Sequence, residues 1–271
     1  MSIYLSQSGF DVLQSIRLLT LLATLALLAS PGCVGGRAQL SACGLGSGEN
    51  GDVLYVADGA GDFRITSQTV DEVVHAIGLP LCVEPVVWSH GYGRIFADQI
   101  DRRFAQEQGH LLANTLRERK RLHPQCRIYL LAHSAGSRVI LVAAEDMPAN
   151  SIERIVLLGP SVQSNYDLRC ALRATCRSID VYYSPDHDFY LRGAAMLAAV
   201  FHAEFSRRAG QIGFKPQVDS DEDARQYSKL RLIPWDPLFS DTGNRGGHYG
   251  ARQPEFLKDY VLPLMSEGLP R

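Results

Sequence analysis

The chain has 271 residues, 46% hydrophobic and 21% charged, the proportions of one large or two small globular domains and not of a disordered chain. A formal charge of −2 excludes a strongly basic nucleic-acid or membrane-surface binder, and 6 cysteines are too dilute for a disulfide-scaffold miniprotein. No CxxC pair, HExxH helix or GxxxxGK(S/T) loop occurs, so the common zinc, metalloprotease and nucleotide-binding chemistries have no carrier, and neither a metal nor an organic cofactor is expected.

Leu18–Ala29 (LLTLLATLALLA) is an uncharged apolar run, shorter than the roughly 20 residues that cross a bilayer. With Arg17 before it and Ser30-Pro31-Gly32 after it, the run reads as the core of an export signal. The small residues ahead of Cys33 resemble a bacterial lipoprotein signal, which implies a lipid on Cys33 and attachment to a membrane. Ser30 stands where such signals usually carry Leu, and Asp11 weakens the basic leader, so plain secretion and an uncleaved anchor stay open. Each of the three places the folded part outside the cytoplasm. Residues 1–32 are expected to be the signal, and residues 33–51, rich in Gly, Ser and Ala, a flexible tether. Residues 52–271 contain no repeat or linker and are expected to form one domain.

Within that domain, apolar strands alternate with helical stretches. Val53–Ala57 reads as a strand closed by Asp58-Gly59-Ala60-Gly61-Asp62, Thr69–Ile77 as a helix stopped by Gly78 and Pro80, and Glu84–Trp88 as a strand. Arg94–His123 is a long charged helix expected to break near Gly109, with Ile95, Ile100, Phe104, Leu111, Leu112 and Leu116 on its buried face. Arg127–Ala132 is nearly all apolar, as a strand covered on both faces should be, and a helix follows over Gly136–Glu145. Ile155–Leu158, Ile179–Tyr183 and Leu230–Ile233 are further strands, Leu191–Phe205 is an apolar helix, and Glu255–Met265 is a terminal helix interrupted by Pro263. The pattern predicts an α/β fold, a mostly parallel sheet with helices on both faces.

Two strand ends carry chemistry. Ala132-His133-Ser134-Ala135-Gly136 places a Ser at a sharp strand-to-helix turn, where small residues two before and two after let the chain segments pass closely. The helix start beside it can hold negative charge. Upstream, a second strand ends in Ser89-His90-Gly91-Tyr92-Gly93. Beyond the last expected strand, His248 lies among glycines in Gly246-Gly247-His248-Tyr249-Gly250. His133 is expected to point away, and His90 to brace its own loop. His75, His110, His123 and His202 read as ordinary helix residues, and His187 between two Asp does not make a metal site.

In these motifs the chain resembles the α/β-hydrolase superfamily of serine hydrolases over about residues 52–265. The resemblance implies the order nucleophile, acid, base: Ser134, then Asp188 or Asp186 after the strand at Ile179–Tyr183, then His248. Asp188 is favoured because it precedes an apolar run. It also implies an oxyanion hole from the Tyr92 and Ala135 amides, with the strands leading to Tyr92 and Ser134 as sheet neighbours. That adjacency motivates a Cys82–Cys126 bridge, beside Cys170–Cys176 with Cys43 unpaired; buried free thiols are the alternative. The long helical pass between His90 and the Ser134 strand is like that of compact lipase-like members. The expected activity is therefore hydrolysis of a small-molecule or lipid carboxylic ester through an acyl-enzyme, with no nucleic-acid partner. Amide, thioester, peptide or cell-wall-linked substrates, and an inactive envelope binding module on the same fold, stay open.

Overall fold

The computed structural model describes residues 51–185 and 207–266. The expected signal, the expected tether up to residue 50, Cys33, Cys43 and the helix expected at Leu191–Phe205 lie outside them.

Strand β1 (Val53–Ala57) is buried along its whole length, because alternate side chains enter two different cores. Val53, Tyr55 and Ala57 join one cluster and Leu54 and Val56 the other. The same division runs through β3 (Ile128–His133) and β4 (Arg154–Leu158), as the period-2 geometry of a strand covered on both faces requires. With β2 (Cys82–Pro85), β5 (Ile179–Tyr183) and β6 (Leu230–Pro234) they form one sheet in the order β2-β1-β3-β4-β5-β6, every pair parallel. The α/β class expected from the sequence is the one observed.

Helices cover both faces. On one lie α3 (Arg102–Leu122) and α4 (Gly136–Glu145), with α5 (Arg169–Ala174) beside them. On the other lie α1 (Ile65–Ala76) and the C-terminal segment, in which Pro254–Phe256 passes through a π turn at Leu257–Val261 into Pro263–Ser266. The π turn absorbs Pro263: Leu262 N–H donates to the Leu257 carbonyl, and the helix resumes at the residue that has no N–H to give.

Several expectations are corrected. Helix α1 begins four residues earlier than expected, because the Asp58 carboxylate caps it from the end of β1, accepting from Thr66 N–H at 2.7 Å and Ser67 N–H at 3.2 Å. The long helix does not break at Gly109. It breaks at Asp101, between α2 (Ile95–Ile100) and α3, where the Asp101 side chain caps α3 by accepting from Phe104 N–H. Gly109 is a contact point: a Cβ there would fall 2.6 Å from Val142 Cβ of α4. The buried face of α3 is accordingly Ala105, Gly109, Leu112, Ala113 and Leu116, while Leu111 and Ile100 are exposed.

The adjacency argument also fails. Strand β1 lies between β2 and β3, pairing Val53 with Cys82 on one side and with Ile128 on the other. Cys82 and Cys126 are therefore separated by a strand, and Cys126, Cys170 and Cys176 are free thiols, so neither expected bridge forms. Among the described residues no helix is long and apolar enough to cross a membrane.

Candidate active site

The chain leaves β1 for β2 on one side and returns to place β3 on the other. The carboxyl ends of β1 and β3 therefore flank a point where the strand order reverses, the position at which open α/β sheets bind ligands. Ser134 directly follows β3. Its φ is +52°, a left-handed backbone that non-glycine residues rarely adopt. The turn is held from three sides. Ser134 N–H donates to the Leu158 carbonyl of β4, and the Ser134 carbonyl accepts from the N–H groups of Ser137 and Ser161. Close passage of β1 fixes the residue two further on, since a Cβ on Gly136 would lie 2.5 Å from the Asp58 carbonyl oxygen.

His248 reaches this turn from the loop after β6. Gly246 and Gly247, at φ +79° and +76°, give the loop a course that residues with a Cβ resist. Trp235 Nε1 donates to the Asn244 carbonyl, and Gly247 N–H donates to Ser184 Oγ, tying the loop to the end of β5. The result places His248 Nε2 2.8 Å from Ser134 Oγ, with the two residues only 6% and 2% exposed.

His133 does not point away as expected. It is buried beside His248, ring centroids 4.8 Å apart, and its Nε2 lies 3.0 Å from the His248 carbonyl oxygen. A carbonyl only accepts, so Nε2 carries the proton and donates. Burial, then the facing His248 and Arg252, push the His133 pKa down from 6.5 to about 3. Between those values the unfolded chain binds a proton that the folded chain refuses. The stabilisation is complete above pH 6.5 and is lost as pH falls, by about 1.4 kcal/mol per unit. Urea unfolding of wild type and His133→Gln should therefore converge on acidification, the gap shrinking by about 2.5 kcal/mol between pH 7 and 4.5. Parallel curves would show that His133 is not held neutral.

The cleft above Ser134, about 110 Å³, has an apolar wall of Phe63, Ile65 and Ile95 and a basic one of Arg64 and Arg252. Arg252 lies over the Tyr249 ring at 4.3 Å. Asp58 lines the cleft as well. Burial pushes its carboxyl pKa up, while the bonds from Ser67 and Thr66 pull it back.

Tyr92 does not line this cleft. It is 79% exposed and meets Phe63 edge-on, because its strand, β2, is not the neighbour of β3. The loop beside Ser134 is the one after β1: a Cβ on Gly59 would sit 3.0 Å from His133 Nδ1 and 3.3 Å from Ser134 Cβ. That loop, and the two arginines, went unread in the sequence, where Asp58–Asp62 counted only as a strand terminator. His90 braces its loop as expected, its N–H and Nδ1 both 2.9 Å from Asp98 Oδ1. Asp186, His187 and Asp188 lie outside the described residues, which stop after Ser184 and Pro185 and resume at Arg207. Among the described residues no group of His, Cys, Asp and Glu could hold a metal ion.

No protein-family model matches the chain, and no curated protein matches it. Among solved structures it is similar to Est1E from Butyrivibrio proteoclasticus, solved with ferulic acid bound, at 12% identity over 82% of this chain and 91% of that one, TM-score 0.49. It is similar to an uncharacterized protein from Bacillus cereus ATCC 10987 at 11% identity over 95% and 71%, TM-score 0.46. It is also similar to a cutinase-like protein from Cryptococcus sp. at 11% identity over 80% and 95%, TM-score 0.43. Likeness this remote carries no statement about activity or substrate.

Proposed function

We propose that this chain is a serine hydrolase of carboxylic esters, with Ser134 as nucleophile and His248 as general base. The observation that carries the reading is the 2.8 Å contact between His248 Nε2 and Ser134 Oγ at a strained strand-to-helix turn. Nε2 takes the hydroxyl proton as Oγ attacks the ester carbonyl, then returns it to the leaving alkoxide as the acyl-enzyme forms. Water, deprotonated by the same nitrogen, releases the acid and regenerates Ser134.

The oxyanion rests on Ala135 N–H and on an amide of the loop after β1, Gly59 or Ala60, in place of Tyr92. Among the described residues none of these three amides has a hydrogen-bond acceptor, and such donors each contribute about 3 kcal/mol to the transition state. The acid behind His248 is Asp188 or Asp186. Ser184, bonded to the residue before His248, brings the chain to within two and four residues of them. No metal or organic cofactor takes part. Export, with a lipid on Cys33 as the anchor, completes the reading and is checked by the intact mass of the mature protein.

A fluorophosphonate probe should label wild type on the peptide containing Ser134, and a simple acetyl ester should compete with the label. Protein that neither labels nor cleaves any ester would overturn the proposal and leave a binding module on the same fold.

A further inference from the structure

A second cavity, about 30 Å³, begins one residue along from the nucleophile and is lined by Gln99, Arg102, Ala135, Arg138, Ser161 and Arg208. That exceeds the ~15 Å³ that one water needs. Gln99 lines the Ser134 cleft too, so the two spaces share a wall.

Three guanidinium groups meet here, each half-buried, and among the described residues none has a carboxylate oxygen within 4.0 Å. The carboxylate that does line the cavity is already occupied. Asp98 accepts from Gly61 N–H, Ser89 Oγ, and both His90 N–H and Nδ1. Arg138 has Tyr166 beneath it at 5.7 Å, and the Glu145 carboxylate nearby is bonded to the Tyr166 hydroxyl.

Placement makes the charges harder to explain as packing. Arg102 opens the 21-residue α3, whose N-cap is the Asp101 carboxylate, and Arg138 sits in the first turn of α4, which has no side-chain cap; neither first turn contains an acid. Cations are disfavoured at helix N-termini, where anions are favoured. Burial and the neighbouring Arg102 and Arg138 hold the Arg208 guanidinium below its usual pKa. Gln99 Nε2 is buried and among the described residues has no hydrogen-bond acceptor. Four donor side chains and the uncapped N-terminus of α4 converge beside the reacting serine, and among the described residues no carboxylate pairs with them.

We propose that this cavity binds an anionic group, a carboxylate or a phosphate, carried by the ester substrate, so that the enzyme selects acidic esters. The substrate assignment rests on the hydrolase reading of Ser134; anion binding does not.

The test uses three acetyl esters differing in one substituent: 4-acetoxybenzoate, 4-acetoxyphenyl phosphate and the neutral methyl 4-acetoxybenzoate. One of the two acidic esters should exceed the neutral one in kcat/KM by roughly tenfold or more, which also identifies the preferred anion. Arg208→Gln and Arg138→Gln should collapse that ratio. In parallel, glutarate or inorganic phosphate should raise the Tm of wild type above that in chloride at equal ionic strength, and Arg208→Gln should abolish the rise. Without added anion, Arg208→Gln should melt higher than wild type, because it removes like-charge repulsion; an arginine with a packing role would melt lower on removal. Equal kcat/KM for all three esters overturns the substrate assignment while leaving the hydrolase intact. If no ester is cleaved, the hydrolase reading fails by itself, and a Tm unmoved by either anion overturns the anion site as well.

Discussion

Ser134→Ala is expected to lower kcat on an activated ester such as 4-nitrophenyl acetate by about 10⁴- to 10⁶-fold, with KM changed little. The hydroxyl forms the covalent bond, so nothing else at the turn replaces it, and the residual rate is what the amide donors supply by holding the oxyanion. His248→Ala should give a loss of similar size, and the double variant should lose no more than either single one, because Ser134 Oγ and His248 Nε2, 2.8 Å apart, act as a unit. Stability separates this from damage to the fold. Ser134 is held at φ +52°, and Ala is as ill-suited to that backbone as Ser. Gly is not, so Ser134→Gly should abolish activity while gaining about 1 kcal/mol, the strain that the turn stores. Steady-state kinetics with urea unfolding on the same preparations checks both. An active Ser134→Ala, or an inactive Ser134→Gly that is less stable than wild type, would remove Ser134 from the chemistry or the strain from the turn.

What could be read from the residues beforehand follows the range of the forces involved. β1, β5 and α4 were legible to the residue because their limits are local: short runs rich in β-branched and aromatic residues for the strands, and a small-residue turn opening α4. The contact of Ser134 with His248 was also expected, yet only through a resemblance; 114 residues of chain separate them, and spacing alone does not bring them together. Strand order is long-range information, and taking β2 as the neighbour of β3 misplaced Tyr92 and Cys82 together. Gly109 shows the same limit in a helix. Its sequence signal, a breaker, is opposite to its role as a point of close approach to Val142. The Asp58 cap on α1 escaped for the same reason, lying eight residues before Thr66 and across a loop. The arginine cavity draws on α2, α3, α4 and the segment around Arg208, which no single stretch of sequence announces.

Gly136→Ala is expected to destabilise the protein by about 3 kcal/mol or more, although Ala is by itself the better helix former by ~1 kcal/mol. The added Cβ would lie 2.5 Å from the Asp58 oxygen, 2.6 Å from the Ala57 oxygen and 2.9 Å from the Ala57 carbon. All three are backbone atoms of the β1 end, so no side-chain rotation relieves the contact. Either β1 separates from β3, breaking the pairing of Ala57 with Ala132 in the middle of the sheet, or the start of α4 tilts away. The second course moves Ser134 and Ala135 with it, and a shift of about 1 Å at a reacting centre lowers rate by about 100-fold even in protein that stays folded. Gly78→Ala supplies the contrast. That residue has φ +64° but nothing within 4 Å of a new Cβ, so the substitution should cost only about 1 kcal/mol of backbone strain and leave turnover intact. Soluble yield, Tm and ester turnover of the two variants side by side distinguish close approach from backbone conformation. A Gly136→Ala protein as stable and active as Gly78→Ala would mean that β1 and the turn do not pass each other this closely, and the amide donors assigned to the Asp58–Gly61 loop would lose their support with it.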